Sequence, residues 1–489
     1  MYLATTTAPL NNVINTDSQD PVSTQASSVA GDIDYVPEPA QKGKPKRRDI
    51  SITDRTNLIV IGHVDAGKST MMGHFLYKLA DVDHRTMAKY KRDSEKIGKG
   101  SFSYAWVLDE TDEERERGVT IDVATRSFET TNKKFTLLDA PGHRDFVPNM
   151  ISGAAQADAA VLVIDAGTGG FESGFDGQGQ TREHAILIRS LGVRQLIVAI
   201  NKMDMVGWSE ERYNEIVSRL TEFLSSVGFA SDSVKYVPVS GLEGINLTKS
   251  TKDDEPIAPQ TWYRRGPVLE ELLDSLASPE RNIDKPFRLP VIEFFRGGTY
   301  TSGRSGKIVT VHGRIVQGKV AIGDRLVLIP GNEKAIVKAI EAVSEDVDYA
   351  VDGENVYLTI DGIDIQQMSI GSVLCKPNFP VQYSDRFIAQ IVVFEAPVPI
   401  TNGFPVILHI QSDNKPAYVS KLISVIDQST GEVKKSKPRH IGQGVTANVE
   451  IKVESSVCID LFRESKDLGR IALRSGGITL AAGIITGVI

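Results

Sequence analysis

Short, uninterrupted apolar runs recur through the first half of the chain, each followed by a stretch with helical spacing: residues 58–61, 135–138, 160–164, 196–200 and 236–239. Continuous Val/Ile/Leu runs of this length suit parallel strands covered on both faces, so the region from Thr56 to about Asp284 predicts an α/β domain. Residues 121–128 alternate apolar and polar instead, which predicts a more peripheral strand. In an open sheet of this kind a ligand sits at the carboxyl ends of the strands.

Beyond Pro286 and Pro290 the pattern changes. Short β-like segments are separated by glycines (Gly306, Gly313, Gly318, Gly323, Gly331, Gly353, Gly371), and no long helical pattern remains. The glycines read as turn and bulge positions of short strands. A second break at residues 376–380 opens another β-rich stretch, so two small all-β barrels are expected. Residues 1–48, rich in Thr, Ser, Asn, Asp and Pro and closing on Lys42, Lys44, Lys46, Arg47 and Arg48, read as a disordered arm and linker. The expected organisation is an arm over 1–48, an α/β nucleotide domain over 49–284, and barrels over 285–378 and 379–489.

At 489 residues the chain is too long for one core. Its 55 basic against 63 acidic residues, a net −8, argue against coating nucleic acid over the whole surface. The cluster Lys434, Lys435, Lys437, Arg439 and His440 reads as an exposed hairpin. Two cysteines, Cys375 and Cys458, without metal-ligand spacing fit a reducing compartment rather than a disulfide framework or zinc site. No run approaches a membrane span and the start lacks a secretory signal, so the expectation is a soluble, cytoplasmic protein with no membrane partner.

The chemistry concentrates in the loops that follow the apolar runs. Gly62-His63-Val64-Asp65-Ala66-Gly67-Lys68-Ser69-Thr70, between the first run and a helical pattern, has glycines at its first and sixth positions. It reads as a phosphate-binding loop, with backbone N–H groups of Asp65, Ala66, Gly67, Lys68, Ser69 and Thr70 cradling phosphates, the Lys68 ammonium on the β- and γ-phosphates and the Ser69 hydroxyl on Mg²⁺. Asp139 in Asp139-Ala140-Pro141-Gly142-His143 holds Mg²⁺ through water, and the Gly142 N–H senses the γ-phosphate. Thr120, in a long polar excursion, closes over Mg²⁺ when triphosphate is bound.

Base choice falls to Asn201-Lys202-Met203-Asp204. A carboxylate at Asp204 matches the adjacent N1–H and 2-amino donors of guanine, a pair that adenine lacks. The Lys202 stem lies against the base plane, and the backbone of Ser240, Gly241 and Leu242 offers N–H groups to guanine O6. The expected ligands are therefore GTP and Mg²⁺.

Residues 62–70, 114–122, 139–149 and 201–204 resemble the translational GTPases, specifically the eukaryotic elongation factor 1-alpha branch, over about residues 56–489. The segments 96–106, 170–174 and 180–184 are shared with that branch. Residues 146–154, Trp262-Tyr263 before Gly266-Pro267, 362–365, 468–474 and 481–483 are most similar to its ribosome-rescue type, the HBS-type GTPase that partners Pelota. The release-factor GTPase, the aminoacyl-tRNA-delivering factor and, less closely, the GTPase subunit of a sulfate-activating enzyme share parts of the pattern. The resemblance implies a P-loop GTPase domain followed by two β-barrels, a monomer apart from its Pelota-type partner, and ribosome-stimulated hydrolysis. It further implies that His143 places or polarises the attacking water, with Val64 and Val119 as apolar neighbours, and that Asp65 holds a monovalent cation.

Overall fold

The computed structural model describes residues 55–489 apart from 80, 97, 99, 110, 118–119, 177–178, 250–261, 264–265, 297–307, 343–344, 395 and 428–429, all within the compact unit Lys44–Ile489. The arm expected over residues 1–48 lies outside the described residues, as does Val119.

Six strands, β1 (Arg55–Gly62), β2 (Ala124–Glu129), β3 (Lys134–Asp139), β4 (Ala159–Asp165), β5 (Gln195–Asn201) and β6 (Val234–Pro238), form one sheet in the order β2-β3-β1-β4-β5-β6. All neighbours run parallel except β2, which is antiparallel to β3 at the edge. The apolar runs are uninterrupted because both faces of the sheet are covered. In β1, Ile59 and Ile61 enter the core beneath α4 (Val147–Ala155), α6 (Gln180–Leu191) and α7 (Glu210–Val227), while Leu58 and Val60 enter a second core beneath α1 (Lys68–Lys78) and α8 (Leu269–Asp274). β2, at the sheet edge, buries only Ala124 and Phe128, which is why the rest of the strand is polar. Three further helices, α2 (His84–Lys96), α3 (Asp112–Arg117) and α5 (Gly170–Phe175), sit in the connections.

Both following units are all-β. In the first, strands run in the order Arg288–Pro290, Val373–Cys375, Arg325–Ile329, Glu333–Ala342, Asn355–Asp361, Ile308–Arg314 and Glu293–Arg296, and the ring closes because its first and last members are one bent stretch of chain. In the second, Phe404–Ile410 pairs with both Arg470–Ser475 and Asp413–Ile426, closing a barrel through Ile478–Val488, Gln382–Val393 and Thr446–Ile459. Val433–Ser436 hangs on its outside with every residue exposed, so Lys434 and Lys435 do lie on an exposed hairpin. Cys375 and Cys458 are free and buried together where the barrels meet.

The barrels hold the nucleotide domain through buried ion pairs. Asp158, just past α4, receives Arg314 Nη2 at 2.6 Å and Arg281 Nη2 at 2.9 Å. Burial alone would raise its pKa, but the two guanidinium charges hold it below the usual carboxylate value. Arg314 also donates to the carbonyl of Ala155, the last residue of α4. From the second barrel, Arg474 Nη2 and Thr479 Oγ1 both donate to Glu183 of α6, each at 3.0 Å. Among the described residues no helix is long and apolar enough to cross a membrane.

Candidate functional site

A cavity of about 410 Å³ opens at the carboxyl ends of the parallel strands, a volume suited to a small-molecule ligand. Its wall carries Val64, Asp65, Gly67, Lys68, Ser69, Thr70, Thr120, Gly142, His143, Asn201, Lys202, Asp204 and Leu242, all named from sequence. Of the other expected residues, Ala66, Asp139, Ser240 and Gly241 stand behind the wall as buried supports.

The loop between β1 and α1 owes its curl to Asp65 (φ 58°) and Gly67 (φ 86°), both left-handed. A side chain at Gly67 would be strained and would come within 2.5 Å of Asn201 Nδ2. Lys68 folds back to donate to the carbonyls of Gly62 at 3.2 Å and His63 at 3.0 Å. Burial lowers its pKa to about 8 against the pull of Asp139 and Asp65. Gly142 approaches so closely that a Cβ there would run into Lys68 Nζ.

Three oxygens converge at the start of α1. Ser69 Oγ donates to Asp139 Oδ2 at 2.6 Å and lies 3.2 Å from Thr120 Oγ1. Asp139 is fully buried; burial raises its pKa to about 6 despite the Ser69 hydrogen bond and the Lys68 charge. Its Oδ1 is buried with no protein partner. A hard dication with bound waters suits this all-oxygen set and supplies the missing positive charge, so the residues fit Mg²⁺.

Thr120 is held by neighbours that sequence reading did not assign. Glu114 Oε1 accepts from the backbone N–H of Ile121 at 2.9 Å and of Asp122 at 3.3 Å. Asn149 of α4 donates to Ile121 O and Asp122 Oδ1, both at 3.0 Å, tying the helix that follows His143 to the Thr120 segment. His143 is half-exposed, and its Nδ1 accepts from the Asp145 N–H at 3.2 Å.

At the other end, Asn201 is a strut. Its Nδ2 donates to Ala66 O and its Oδ1 accepts from Gly241 N, each at 2.8 Å. The Ser240 N–H is taken by Ile245 O, so of the three amides expected to meet guanine O6 only that of Leu242 stands at the cavity wall. Lys202 Nζ pairs with Asp165 Oδ2 at 2.7 Å, which lays its stem along the cavity. Behind this wall His74 of α1 sits 2.9 Å from Gly241 O and stacks on Tyr104 at 3.9 Å. Burial lowers the His74 pKa to about 4, so the neutral ring donates to that carbonyl.

Phe102, Ala105, Asp109 and Met205 also line the cavity and were missed as site residues. The signal for the first two lay in the segment 96–106, noted only as a shared feature.

Compared with known families, residues 53–280 match the elongation factor Tu GTP binding domain, 309–375 elongation factor Tu domain 2, and 386–486 the GTP-eEF1A C-terminal domain-like family. The chain is 48% identical over 430 residues to protein HBS1 of Drosophila melanogaster, covering 88% of this chain but 62% of that protein's length. It is 41% identical over 429 residues to elongation factor 1-alpha of Thermofilum pendens, covering 88% and 96%. Among solved structures, the GTP-bound Ski7 GTPase-like domain of S. cerevisiae shares the fold, with TM-score 0.73 at 20% identity over 88% of this chain and 97% of that one.

Proposed function

The chain belongs to the elongation factor 1-alpha family of translational GTPases and is a GTP hydrolase, and from that premise we propose that it is a ribosome-rescue factor of the cytoplasm. In this reading it carries a Pelota-type, tRNA-shaped protein to the vacant A site of a stalled ribosome and releases it on GTP hydrolysis, in surveillance of defective mRNA. The observation that carries the gating is the grip of both barrels on the nucleotide domain: Arg314 on the end of α4, the helix that begins just after Gly142 and His143, and Arg474 on α6. A change at Gly142 is then felt at the barrels, where cargo is held. The choice of cargo follows the likeness to HBS1, together with a net charge of −8 that gives little general attraction for tRNA phosphates.

GTP phosphates lie on the loop 62–70, with the base between the Lys202 stem and Leu242 and read by Asp204. Ser69, Thr120 and Asp139 would hold Mg²⁺, which would supply positive charge against the phosphate oxygens. His143 orients the attacking water. Because its Nδ1 accepts the Asp145 N–H, the neutral ring carries its proton on Nε2 and acts as a donor to that water. In this reading Val64, which lines the same cavity as His143, is an apolar neighbour controlling the water's approach, a role the resemblance also gives to Val119, which lies outside the described residues. Asp65 is the candidate ligand for a monovalent cation.

The test is a pull-down with a GTP analogue offering a Pelota protein, a stop-codon release factor and aminoacyl-tRNA in parallel. Selective capture of Pelota is expected. Capture of the release factor alone makes this a termination GTPase, and capture of aminoacyl-tRNA makes it an elongation factor.

A further inference from the structure

The turn that carries Asp204 is strained. Lys202 (φ 63°), Gly207 (φ 58°) and Trp208 (φ 56°) all adopt the left-handed region around the short helical turn Met203–Val206. For a non-glycine residue this conformation is unfavourable and persists only where the surroundings over-determine it. Inside the turn, Met203 N donates to Val239 O at 3.2 Å and Trp208 N to Met203 O at 2.9 Å, and both side chains are buried. From outside comes a group far along the chain: the indole Nε1 of Trp262 donates to the carbonyl of Trp208 at 2.9 Å. The Trp262 ring is itself wedged against Tyr213 at 5.1 Å and Tyr263 at 5.5 Å, so the donor is held in place by aromatic packing.

We propose that Trp262 is a positioning residue for guanine recognition: its indole N–H fixes the left-handed Gly207-Trp208 turn and thereby the angle at which Asp204 meets the base. The proposal rests on the reading of Asp204 as the base reader. Two parallel hydrogen bonds to one carboxylate tolerate little rotation of that carboxylate, whereas a single bond tolerates more. Loosening the turn therefore penalises a base with two donors more than a base with one.

Inosine triphosphate keeps N1–H and lacks the 2-amino group, so it reads out the difference. In Trp262→Phe, which keeps a smaller aromatic ring and loses the indole donor, affinity is expected to fall about tenfold for GTP and about threefold for inosine triphosphate, lowering their ratio about threefold. Tyr263→Phe, in the same aromatic cluster, is expected to leave the ratio unchanged. Equal losses for both nucleotides in Trp262→Phe, or no loss, overturn the proposal. Asp204→Asn measured alongside separates the two levels. An unchanged ratio there overturns the reading of Asp204 itself, while a collapsed ratio there with an intact one in Trp262→Phe overturns only the role of Trp262. Should Trp262→Phe fail to fold, hydrogen exchange of the Trp262 indole N–H in the wild-type chain decides. Slower exchange with GDP bound supports the proposal, and equal exchange with and without nucleotide rejects it.

Discussion

The two ends of the nucleotide cavity are built in different ways. At the phosphate end most groups come from short stretches next to strand ends, with Lys68 and Ser69 opening α1, Asp139 ending β3 and Gly142 following it, while Thr120 reaches in from a segment held by Glu114 and Asn149. Backbone amides and one lysine suffice there, because phosphate offers acceptors in every direction. At the base end Asp204 stands on a turn held by Val239, Trp262 and the Asn201 strut between Ala66 and Gly241. In the proposed reading a planar base with two donors at fixed angles needs a carboxylate held at a matching angle, and the turn that carries Asp204 draws its bracing from distant parts of the chain. The loop between β1 and α1 is thus shaped mostly by its own sequence, whereas the turn that carries Asp204 is braced from distant parts of the chain.

The largest expected effect separates chemistry from both kinds of binding. His143→Ala should leave GTP affinity unchanged while stimulated hydrolysis falls by about 10³-fold or more, on the scale of activated GTPases. Single-turnover assays with and without ribosomes check this, and normal stimulated turnover rejects the role. Next, Asp204→Asn should move preference from GTP toward xanthosine triphosphate by about 100-fold, since two charge-assisted bonds of about 1.5–3 kcal/mol each are at stake. Competition binding measures the shift, and the phosphate end should not register it.

Asn201→Ala tests whether the two ends share a support. It leaves Ala66 O and Gly241 N without their partner, at a cost of about 2 kcal/mol in stability, and should weaken GTP and xanthosine triphosphate alike. A selective loss of one nucleotide would show that Asn201 serves only the base. The smallest effect belongs to the phosphate end alone. With Lys68 lowered to about 8 in the free protein, the ammonium is present at pH 7 and lost as pH rises through 8, while bound phosphate favours the charged form. GTP affinity should therefore fall by about tenfold between pH 7 and 9, with Lys68→Arg flattening the profile. A fall of equal slope in Lys68→Arg assigns the titration elsewhere.

The same contrast governs the rest of the molecule. The strand runs, the loop 62–70 and the texture of the barrels are local patterns, and they predicted the α/β sheet, its edge strand β2 and two β-rich units. The contacts that join those units are single residues without a pattern. Nothing around Asp158 or Arg314 marks them, and Glu183 and Arg474 stand in segments that carry the family resemblance without revealing that they pair, since a buried ion pair is recognisable only when both partners are known. His74 and Glu114 were passed over for the same reason, each being an ordinary polar residue on a helix until its partner is in view.

By itself the sequence determined the sheet and the glycine-turned loop between β1 and α1, because strand burial and tight glycine turns depend on residues within about ten positions of one another. Tertiary structure alone decided that Asn201 braces Ala66 against Gly241, that the Gly241 amide is already taken, and that Trp262 reaches the carbonyl of Trp208 from 54 residues away. Those outcomes depend on which of several polar groups reach one another first when the chain closes. Hydrogen-bond partners compete across the whole fold, and only the packed structure settles the competition.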